Sequence, residues 1–292
     1  MSRTEPACAG IAWAGPWACP LCAAPLTARP GGALCCPAGH SFDRAREGYW
    51  HLLPVQSMRT KAPGDSKEMV AARRRFLQAG HYGPFGTALG ELCLALAQTA
   101  RDPHSPHILD AGCGEGWYSR QAAAALTAAG LCPEMAGYDL SKPAVRLAAK
   151  AQPEAAFAVA GSFAAPVADG WADVILNIFS PMAREEFLRV LAPGGALVYA
   201  VPGPRHLFGL KQVLYDTPYE NPCRPVEYPG FVREAERAVQ GTIRLEGGAI
   251  QDLFAMTPYY WKTPKEGAER LAKLEVLQTE IEFRFVIYRK QG

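Results

Sequence analysis

The stretch "HILDAGCGEG" (residues 107–116) joins a short apolar run to a turn in which every second residue is glycine. The apolar run predicts a buried β-strand, and the glycines allow the backbone of the turn to lie close against a ligand. A dinucleotide fingerprint of the form G-x-G-x-x-G that starts at Gly112 would need glycine at position 117, which is Trp117. The spacing therefore disfavours NAD, and the ligand need not carry a pyrophosphate.

Strand and helix signals alternate on both sides of this turn. The predicted helices are "FGTALGELCLALAQTA", "YSRQAAAALTAAG" and "KPAVRLAAKAQ". The other predicted strands are "MAGYDL", "AAFAVAG", "ADVILNI" and "GALVYAVPG". Strands that alternate with helices of this length predict an α/β fold with a doubly wound, mostly parallel, Rossmann-like sheet.

A second acidic residue accompanies the turn. Asp139 ends the second predicted strand 23 residues after Gly116, and a carboxylate there can accept hydrogen bonds from both hydroxyls of a ribose. The turn itself resembles the D-x-G-x-G-x-G motif of class I S-adenosylmethionine-dependent methyltransferases. This resemblance implies that S-adenosylmethionine is held by Asp110, Gly112, Gly114, Gly116 and Asp139.

Two further strand ends belong to the predicted binding edge. After the third strand, Ser162 and Phe163 stand where many such enzymes carry an acidic residue for the adenine amino group, so we expect backbone groups and Phe163 to hold the adenine. After the fourth strand, "NIFSP" begins at Asn177, at the carboxyl edge where ligands bind in open α/β sheets. We therefore count Asn177 among the donor-binding residues.

The N-terminal stretch "WACPLCAAPLTARPGGALCCPAGHSFD" (residues 17–43) is too short and too rich in Pro and Gly to form a core of its own. It holds four cysteines and one histidine, and three thiolates with one imidazole form a tetrahedral set that zinc prefers. With four protein ligands the metal is structural, and its binding free energy stabilises the fold. The predicted ligands are Cys19, Cys22, Cys36 and His40. Cys35 is an alternative to Cys36, but Cys36 repeats the Cys-Pro pattern of the first pair.

The charge is unevenly distributed along the chain. The net charge is only +2, yet residues 1–80 hold ten Lys or Arg and five Asp or Glu. The zinc-binding segment also interleaves aromatic with basic residues: Phe42, Tyr49 and Trp50 with Arg44, Arg46, Arg59 and Lys61. Such a surface can stack on unpaired bases and hold phosphates. The alternative, which we favour for the aromatic residues alone, is that they pack around the metal loops.

These signals divide the 292 residues into four parts. We expect a flexible leader (1–16), a zinc-binding RNA-recognition module (17–62), a linker helix (63–82) capped by Asp65 or Ser66, and the methyltransferase domain (83–292). Because we find no apolar run of about 20 residues and no secretory signal pattern, we expect a cytoplasmic protein without a membrane partner.

The chain as a whole resembles the bacterial 23S rRNA guanine-N1 methyltransferases of the RlmA type. The likeness rests on "CPLC", "CPAGHSFD", "EGYWHLLPVQ", "PGDSKEM", "ARRRFLQAGHY", "LDAGCGEG", "PGPRHL" and "MTPYYW". The resemblance implies structural zinc, S-adenosylmethionine as the donor, a target guanine in a 23S rRNA hairpin loop, and a homodimer. Two other functions stay open: a small-molecule methyltransferase with a structural zinc module, and a non-catalytic RNA-binding or zinc adaptor protein.

Guanine N1 carries a proton that a base must remove during methylation. His206 in "PGPRHL" is the first candidate, with Arg205 beside it as a phosphate ligand, although a packing role for His206 is an equal alternative. Asp110 and Asp216 are weaker candidates for the base. The segment "YYW" (259–261) offers a stacking surface for RNA, but we favour a role in the core.

Overall fold

The structure is a computed structural model that describes residues 14–58, 60, 63–223 and 226–291. These residues form a small N-terminal module and a large α/β domain. Of the predicted leader (1–16), residues 1–13 lie outside the described residues, and so do Arg59 and Lys61 of the predicted basic surface.

The N-terminal module is built on a three-stranded antiparallel sheet with very short strands. Its strands are β1 (Thr27–Ala28), β2 (Leu34–Cys35) and β3 (Ser41–Phe42), in the order β1-β2-β3. Strands of two residues pair too few groups to stabilise a sheet in water on their own. The module therefore depends on additional contacts, which a bound metal and the neighbouring domain can supply.

The central sheet has eight strands in the order β10-β11-β9-β8-β5-β6-β7-β4. The strands are β4 (Trp50–His51), β5 (His107–Ala111), β6 (Glu134–Asp139), β7 (Ala156–Val159), β8 (Ala172–Ile178), β9 (Leu191–Pro202), β10 (Phe231–Glu246) and β11 (Val276–Lys290). β4 to β9 are mutually parallel, and β11 is antiparallel to both of its neighbours. The predicted doubly wound, mostly parallel α/β fold is confirmed.

The helices of the described chain are α1 (Lys67–Gln78), α2 (Gly83–Ala97), α3 (Trp117–Ala128), α4 (Lys142–Ala151), α5 (Arg184–Val190), α6 (Phe208–Leu214), α7 (Gly248–Ala255), α8 (Tyr259–Lys262) and α9 (Lys265–Ala272). Ser66 caps α1 by accepting the backbone N–H of Met69, so the cap left open between two residues is Ser66. Such a cap stabilises a helix by about 1 kcal/mol. Within the described residues, no helix combines the length and the apolar character needed to cross a membrane.

The N-terminal module joins the central sheet through β4. Trp50 lies opposite Ala158 of β7, and the chain stays paired where Leu52 donates its N–H to the carbonyl of Val159 at 2.9 Å. The side chain of Trp17 is also buried, and its backbone forms an isolated antiparallel bridge with Val167. The predicted boundary at residue 62 therefore follows a strand that belongs to the large sheet.

A long hairpin closes the other end of the sheet. β10 and β11 pair from Phe231 opposite Lys290 to Glu246 opposite Val276, and β11 in turn pairs with β9. β11 also supplies core side chains: Phe283 is fully buried, with its ring centroid 4.5 Å from that of Phe85 in α2. The hairpin thus extends the sheet beyond β9 and contributes side chains to the core.

Candidate active site and zinc centre

The turn after β5 has the conformation that its glycines predict. Gly112, Gly114 and Gly116 have φ values of +87°, +55° and +79°, which side chains other than glycine rarely adopt. The backbone N–H of Gly112 donates to the carbonyl of Tyr138 in β6 at 2.9 Å. A Cβ on Gly112 would lie 2.3 Å from Oγ of Ser180. Only glycine therefore fits at this position.

Asp139 is held next to the turn at the end of β6. Its Oδ2 accepts the backbone N–H of Gly114 at 3.0 Å, and its Oδ1 accepts the N–H of Ser141 at 2.7 Å. Burial raises the pKa of Asp139, whereas these two N–H groups act in the opposite direction. Each carboxylate oxygen keeps a further lone pair for a hydroxyl donor. This position and orientation suit the recognition of a ribose.

Asp110 lies beneath the turn and is fully buried. Its Oδ2 accepts a hydrogen bond of 2.5 Å from Oγ of Ser119, whereas its Oδ1 has no partner among the described residues. Burial raises the pKa of Asp110 to about 7. An unpartnered buried carboxylate oxygen is costly. A cationic or hydrogen-bond-donating ligand above the turn would reduce that cost, directly or through water.

The turn opens into a cleft of about 680 Å³ between the carboxyl ends of the strands and helix α1. Its walls come from the turn itself, from Asp139 and the segment after β7, from the segments after β8 and β9, and from α1. Residues that line it include Asp65, Met69, Arg73, Gly112, Gly114, Glu115, Asp139, Ser162, Phe163, Phe179, Ser180, His206 and Tyr259. The glycine turn, the carboxylate and the volume of the cleft fit S-adenosylmethionine.

The other predicted donor-binding residues fall into two groups. Ser162 and Phe163 line the cleft, and Phe163 is 71% exposed, so its ring is available for stacking. Asn177, by contrast, is fully buried and does not belong to the described lining of the cleft. Its Nδ2 donates to the carbonyl of Pro181 at 3.1 Å, and its Oδ1 has no partner among the described residues. Asn177 thus holds the loop after β8 in place.

That loop presents an aromatic residue that we did not select from the sequence. Phe179 directly follows the end of β8, has φ +54° and is 44% exposed in the cleft. Its ring lies nearly parallel to that of His206, at 17° with 6.3 Å between the centroids. A bulky residue rarely adopts a positive φ, and such conformations cluster at functional sites. The signal was present in "NIFSP", where an aromatic residue follows a strand at the binding edge.

His206 lines the cleft, but its surroundings make the imidazole a weak base. Its Nδ1 accepts the backbone N–H of Glu282 at 3.2 Å, which places the proton of the neutral ring on Nε2. Burial, with a smaller contribution from Lys211, lowers the pKa of His206 to about 3. Asp216, a weaker candidate for the base, has a side chain that is 92% exposed and paired with Arg270. Asp216 is not among the residues described as lining the cleft.

The segment around His206 is fixed by buried polar contacts. Lys211 is buried and donates to Oδ1 of Asn221 at 2.7 Å, and Asn221 donates to the carbonyl of Gly203 at 2.8 Å. Arg205 pairs with Glu280 at 2.8 Å and with Glu220 at 3.3 Å. Two carboxylates thus already compensate its charge, and the structure offers no support for the predicted contact of Arg205 with a phosphate.

The predicted zinc ligands come together in the N-terminal module. One ligand atom from each of Cys19, Cys22, Cys36 and His40 lies within 4.8 Å of the others. Cys35 is outside this group, and its thiol contacts Oγ of Ser41 at 3.4 Å. The donor set fits a tetrahedral zinc ion with all positions filled by protein. The geometry favours Cys36 over Cys35 as the third thiolate.

Two of the three aromatic residues predicted in the module pack in the interior, as we favoured for them, and Phe42 is partly buried against the same core as Trp50. Tyr49 and Trp50 are buried, and Trp50 donates its indole N–H to the carbonyl of Gly32 at 3.0 Å. The guanidinium of Arg44 lies over the Trp50 ring, 5.1 Å from its centroid. The rings of Tyr49 and Trp50 are therefore not accessible to nucleobases.

Trp261 of the "YYW" segment is 69% exposed, contrary to the core role that we favoured for this segment.

Two known families match separate parts of the chain. Residues 17–61 match the family described as "RlmA, N-terminal", whose model is that of a zinc ribbon, and residues 108–195 match the family described as "Methyltransferase domain". The first match contains the whole zinc centre. The second contains the glycine turn and Asp139.

Named relatives cover most of the chain. It is 37% identical over 281 residues to a protein of Micromonospora griseorubida assigned as a 23S rRNA (guanine-N(1)-)-methyltransferase, with 88% of this chain and 90% of the relative covered. It is also 37% identical over 264 residues to the 23S rRNA (guanine(748)-N(1))-methyltransferase of Streptomyces fradiae, with the same coverage. A Bacillus subtilis protein assigned to the same activity is 33% identical over 285 residues, 93% of this chain and 96% of its own.

Proposed function

Since the chain belongs to the family of 23S rRNA (guanine-N(1)-)-methyltransferases, we propose that it methylates N1 of a guanine in a hairpin loop of 23S rRNA. It is a methyltransferase that uses S-adenosylmethionine and has a structural zinc site. The observation that carries the proposal is that the zinc module is joined to the donor-binding sheet through the pairing of β4 with β7. The hairpin loop is the part of the proposal that rests on the family resemblance.

We assign the donor to the part of the cleft between the glycine turn and Phe163. Asp139 would accept the ribose hydroxyls, and the exposed ring of Phe163 would stack on the adenine. When bound, S-adenosylmethionine supplies an electrophilic methyl group on a sulfonium sulfur. Ser162 would complete the adenine site. Asn177 acts indirectly in this scheme, because it holds the loop after β8.

We assign the target guanine to the part of the cleft beside Phe179. A base must leave its stack before an enzyme can reach its ring nitrogen, and an aromatic surface compensates for the lost stacking. Phe179 offers such a surface next to Ser180, which adjoins the glycine turn. This arrangement brings the acceptor close to the donor, which is the main requirement for methyl transfer.

His206 remains our candidate for a catalytic residue, with its role changed from base to hydrogen-bond donor. The proton on Nε2 can be donated to O6 of the guanine, where negative charge grows as the N1 proton leaves to water in the cleft. A neutral donor of this kind keeps its function over the whole neutral pH range. A base would need a pKa much closer to the working pH than about 3.

Two features favour RNA over a small molecule as the acceptor. The zinc module is fixed at the edge of the sheet next to the donor site, which a small acceptor would not require. Trp261, two residues after Tyr259 of the cleft wall, is widely exposed and can stack on a base outside the cleft. A purely RNA-binding adaptor would leave the glycine turn and Asp139 without a purpose.

Incubation with tritiated S-adenosylmethionine and deproteinised 23S rRNA tests the proposal. We expect label in RNA and a stop of primer extension at one guanine, since a methyl group on N1 blocks base pairing. Asp139→Ala serves as the control that should not transfer label. Label in a small metabolite but not in RNA would support the small-molecule alternative, and no transfer with any acceptor would support the adaptor.

We also infer a homodimer in the cytoplasm from the family resemblance. Ribosomal RNA is modified where ribosomes assemble, which supports the location. Sedimentation velocity on the full chain, with and without the rRNA hairpin, separates a dimer from a monomer.

A further inference from the structure

Helix α1, which we predicted from the sequence only as a linker, places a cation over the donor site. Arg73 projects from α1 into the cleft, and its Nη1 lies 4.0 Å from the position of a Cβ on Gly114. Among the described residues that line the cleft, Arg73 is the only lysine or arginine. Arg73 therefore lies at the glycine turn itself.

The guanidinium is held in place by two groups and keeps free donors. Its Nη1 pairs with the carboxylate of Asp65, and its Nη2 donates to the carbonyl of Met256 at 3.1 Å. A guanidinium carries five N–H donors, so these contacts leave capacity for a planar, two-oxygen acceptor. The side chain of Arg73 is 27% exposed, which leaves it accessible from the cleft but largely withdrawn from bulk water.

We propose that Arg73 binds the α-carboxylate of the amino-acid end of S-adenosylmethionine, with Asp65 as the residue that positions the guanidinium. The inference rests on the proposed function, because it requires the donor to occupy this cleft. With the ribose at Asp139 and the adenine at Phe163, the amino-acid end must lie on the opposite side of the turn, towards Gly112 and Gly114. Nη1 of Arg73 approaches this part of the turn at Gly114.

A phosphate of the RNA is the competing ligand for this arginine. The rest of the cleft near Arg73 is acidic: Asp65, Glu115 and Asp139 all line it. A polyanion would be repelled by these carboxylates, whereas the donor carries an ammonium and a sulfonium as well as its carboxylate and suits mixed surroundings. The observations therefore favour the carboxylate of the donor.

Two ligands that differ only in the amino-acid end provide the test. S-adenosylhomocysteine carries the α-carboxylate, whereas 5′-methylthioadenosine shares the adenosine and the thioether but lacks the amino-acid end. Both are titrated by calorimetry into the full-length wild-type protein and into Arg73→Gln, Arg73→Lys and Arg75→Gln.

Arg75→Gln is the matched control on the same helix. Arg75 also ties α1 to α7, through Asp252, but its side chain is 62% exposed and is not part of the described cleft lining. A general loosening of the contact between α1 and α7 would appear in both glutamine variants. Thermal melting of each variant shows whether it is folded.

We expect Arg73→Gln to weaken binding of S-adenosylhomocysteine by about tenfold to a hundredfold, the range for a lost charge-assisted hydrogen-bond pair. Binding of 5′-methylthioadenosine should change less than about twofold, and Arg73→Lys should recover part of the loss, since it keeps the charge without the fork. Equal weakening of both ligands, or a loss confined to RNA binding, would overturn the inference. If the wild type binds neither ligand, it is the proposed function that fails.

Discussion

Gly112 lies directly against Ser180: a Cβ on Gly112 would come within 2.3 Å of the Ser180 hydroxyl oxygen and 2.7 Å of its Cβ. The contact joins the turn after β5 to the loop after β8. One side of this boundary is the assigned donor site, and the other carries Phe179. A side chain at position 112 would therefore push the two halves of the cleft apart.

Gly112→Ala should separate loss of binding from loss of stability. The positive φ at position 112 costs alanine about 1 kcal/mol of stability. The clash with Ser180 must also displace the loop after β8. We therefore expect the affinity for S-adenosylhomocysteine to fall at least tenfold, which is about 1.4 kcal/mol. Gly130→Ala is the control, because Gly130 has φ +83° but open space around its Cβ. It should lower stability by a similar backbone cost and leave affinity unchanged. Equal affinities of the two variants would contradict the close contact.

The buried carboxyl of Asp110 predicts a pH dependence of donor binding. Because burial raises its pKa from 3.8 to about 7, the folded protein binds this proton more tightly than the unfolded chain. The resulting stability is fully present below about pH 3.8 and is lost as pH rises through about 7. Ionised Asp110 attracts the ammonium group of the amino-acid end, so affinity for S-adenosylhomocysteine should rise between about pH 6 and 8. Calorimetry at several pH values should show this rise in the wild type and not in Asp110→Asn.

His206 predicts the opposite behaviour in the acid range. Because its pKa is lowered from 6.5 to about 3, stability that is present above pH 6.5 is lost progressively as pH falls towards about 3. Methyl transfer should show no step near pH 6.5 that belongs to His206. His206→Phe removes this hydrogen-bond donor and should lower kcat by roughly a hundredfold to a thousandfold. Affinity for S-adenosylmethionine should be retained, and His206→Gln should recover part of the activity. An acid limb near pH 6.5 that disappears in His206→Phe would restore this residue as the base.

Phe179 and Phe163 both line the cleft, and we assign them to different ligands. Phe179→Ala should lower kcat/KM for rRNA about fivefold to a hundredfold, the range for one lost aromatic stack, and leave S-adenosylhomocysteine binding unchanged. Phe163→Ala should weaken S-adenosylhomocysteine instead. The two measurements are transfer of label to rRNA and calorimetry. If both variants affect the same ligand, our assignment of the two residues is wrong.

The adjacent cysteines of the N-terminal module give a test of the metal site. Cys36→Ser should lose the zinc, because it removes one of the four grouped ligands, whereas Cys35→Ser should keep it. Metal analysis of the purified variants measures this directly. We also expect chelation of zinc from the wild type to make the module sensitive to protease, since the short strands cannot hold it together without metal. Loss of zinc from Cys35→Ser alone would reverse the assignment.

Local signals in the sequence were sufficient for the central strands and for part of the site. The alternation of apolar strands and amphipathic helices predicted the parallel sheet, and spacing alone placed Asp139 beside Gly114, because β6 and β5 end at the same edge. The cap of α1 was narrowed to two residues and proved to be Ser66. In each of these cases the deciding contacts are between residues close in sequence or on adjacent strands.

Residues whose roles depend on distant contacts were missed or misjudged. Arg73 was assigned only to the linker helix, and its place in the cleft follows from how α1 packs against α7. The low pKa of His206 results mainly from burial, with a smaller contribution from Lys211, and its tautomer is fixed by the N–H of Glu282, 76 residues later in the chain. We did not predict the β10–β11 hairpin, because β10 is exposed along most of its length and its many charged residues give no apolar strand pattern.

The pairing of β4 with β7 gives the N-terminal module a second role, which is to cover one edge of the central sheet. Without β4, the backbone of β7 would be an open edge that another chain could pair with. A protein shortened to its catalytic half would thus be prone to aggregate, and a loss of its activity would say little about RNA recognition. By holding together the module that carries β4, a bound metal would help to keep this edge covered against aggregation, a role separate from choosing a substrate.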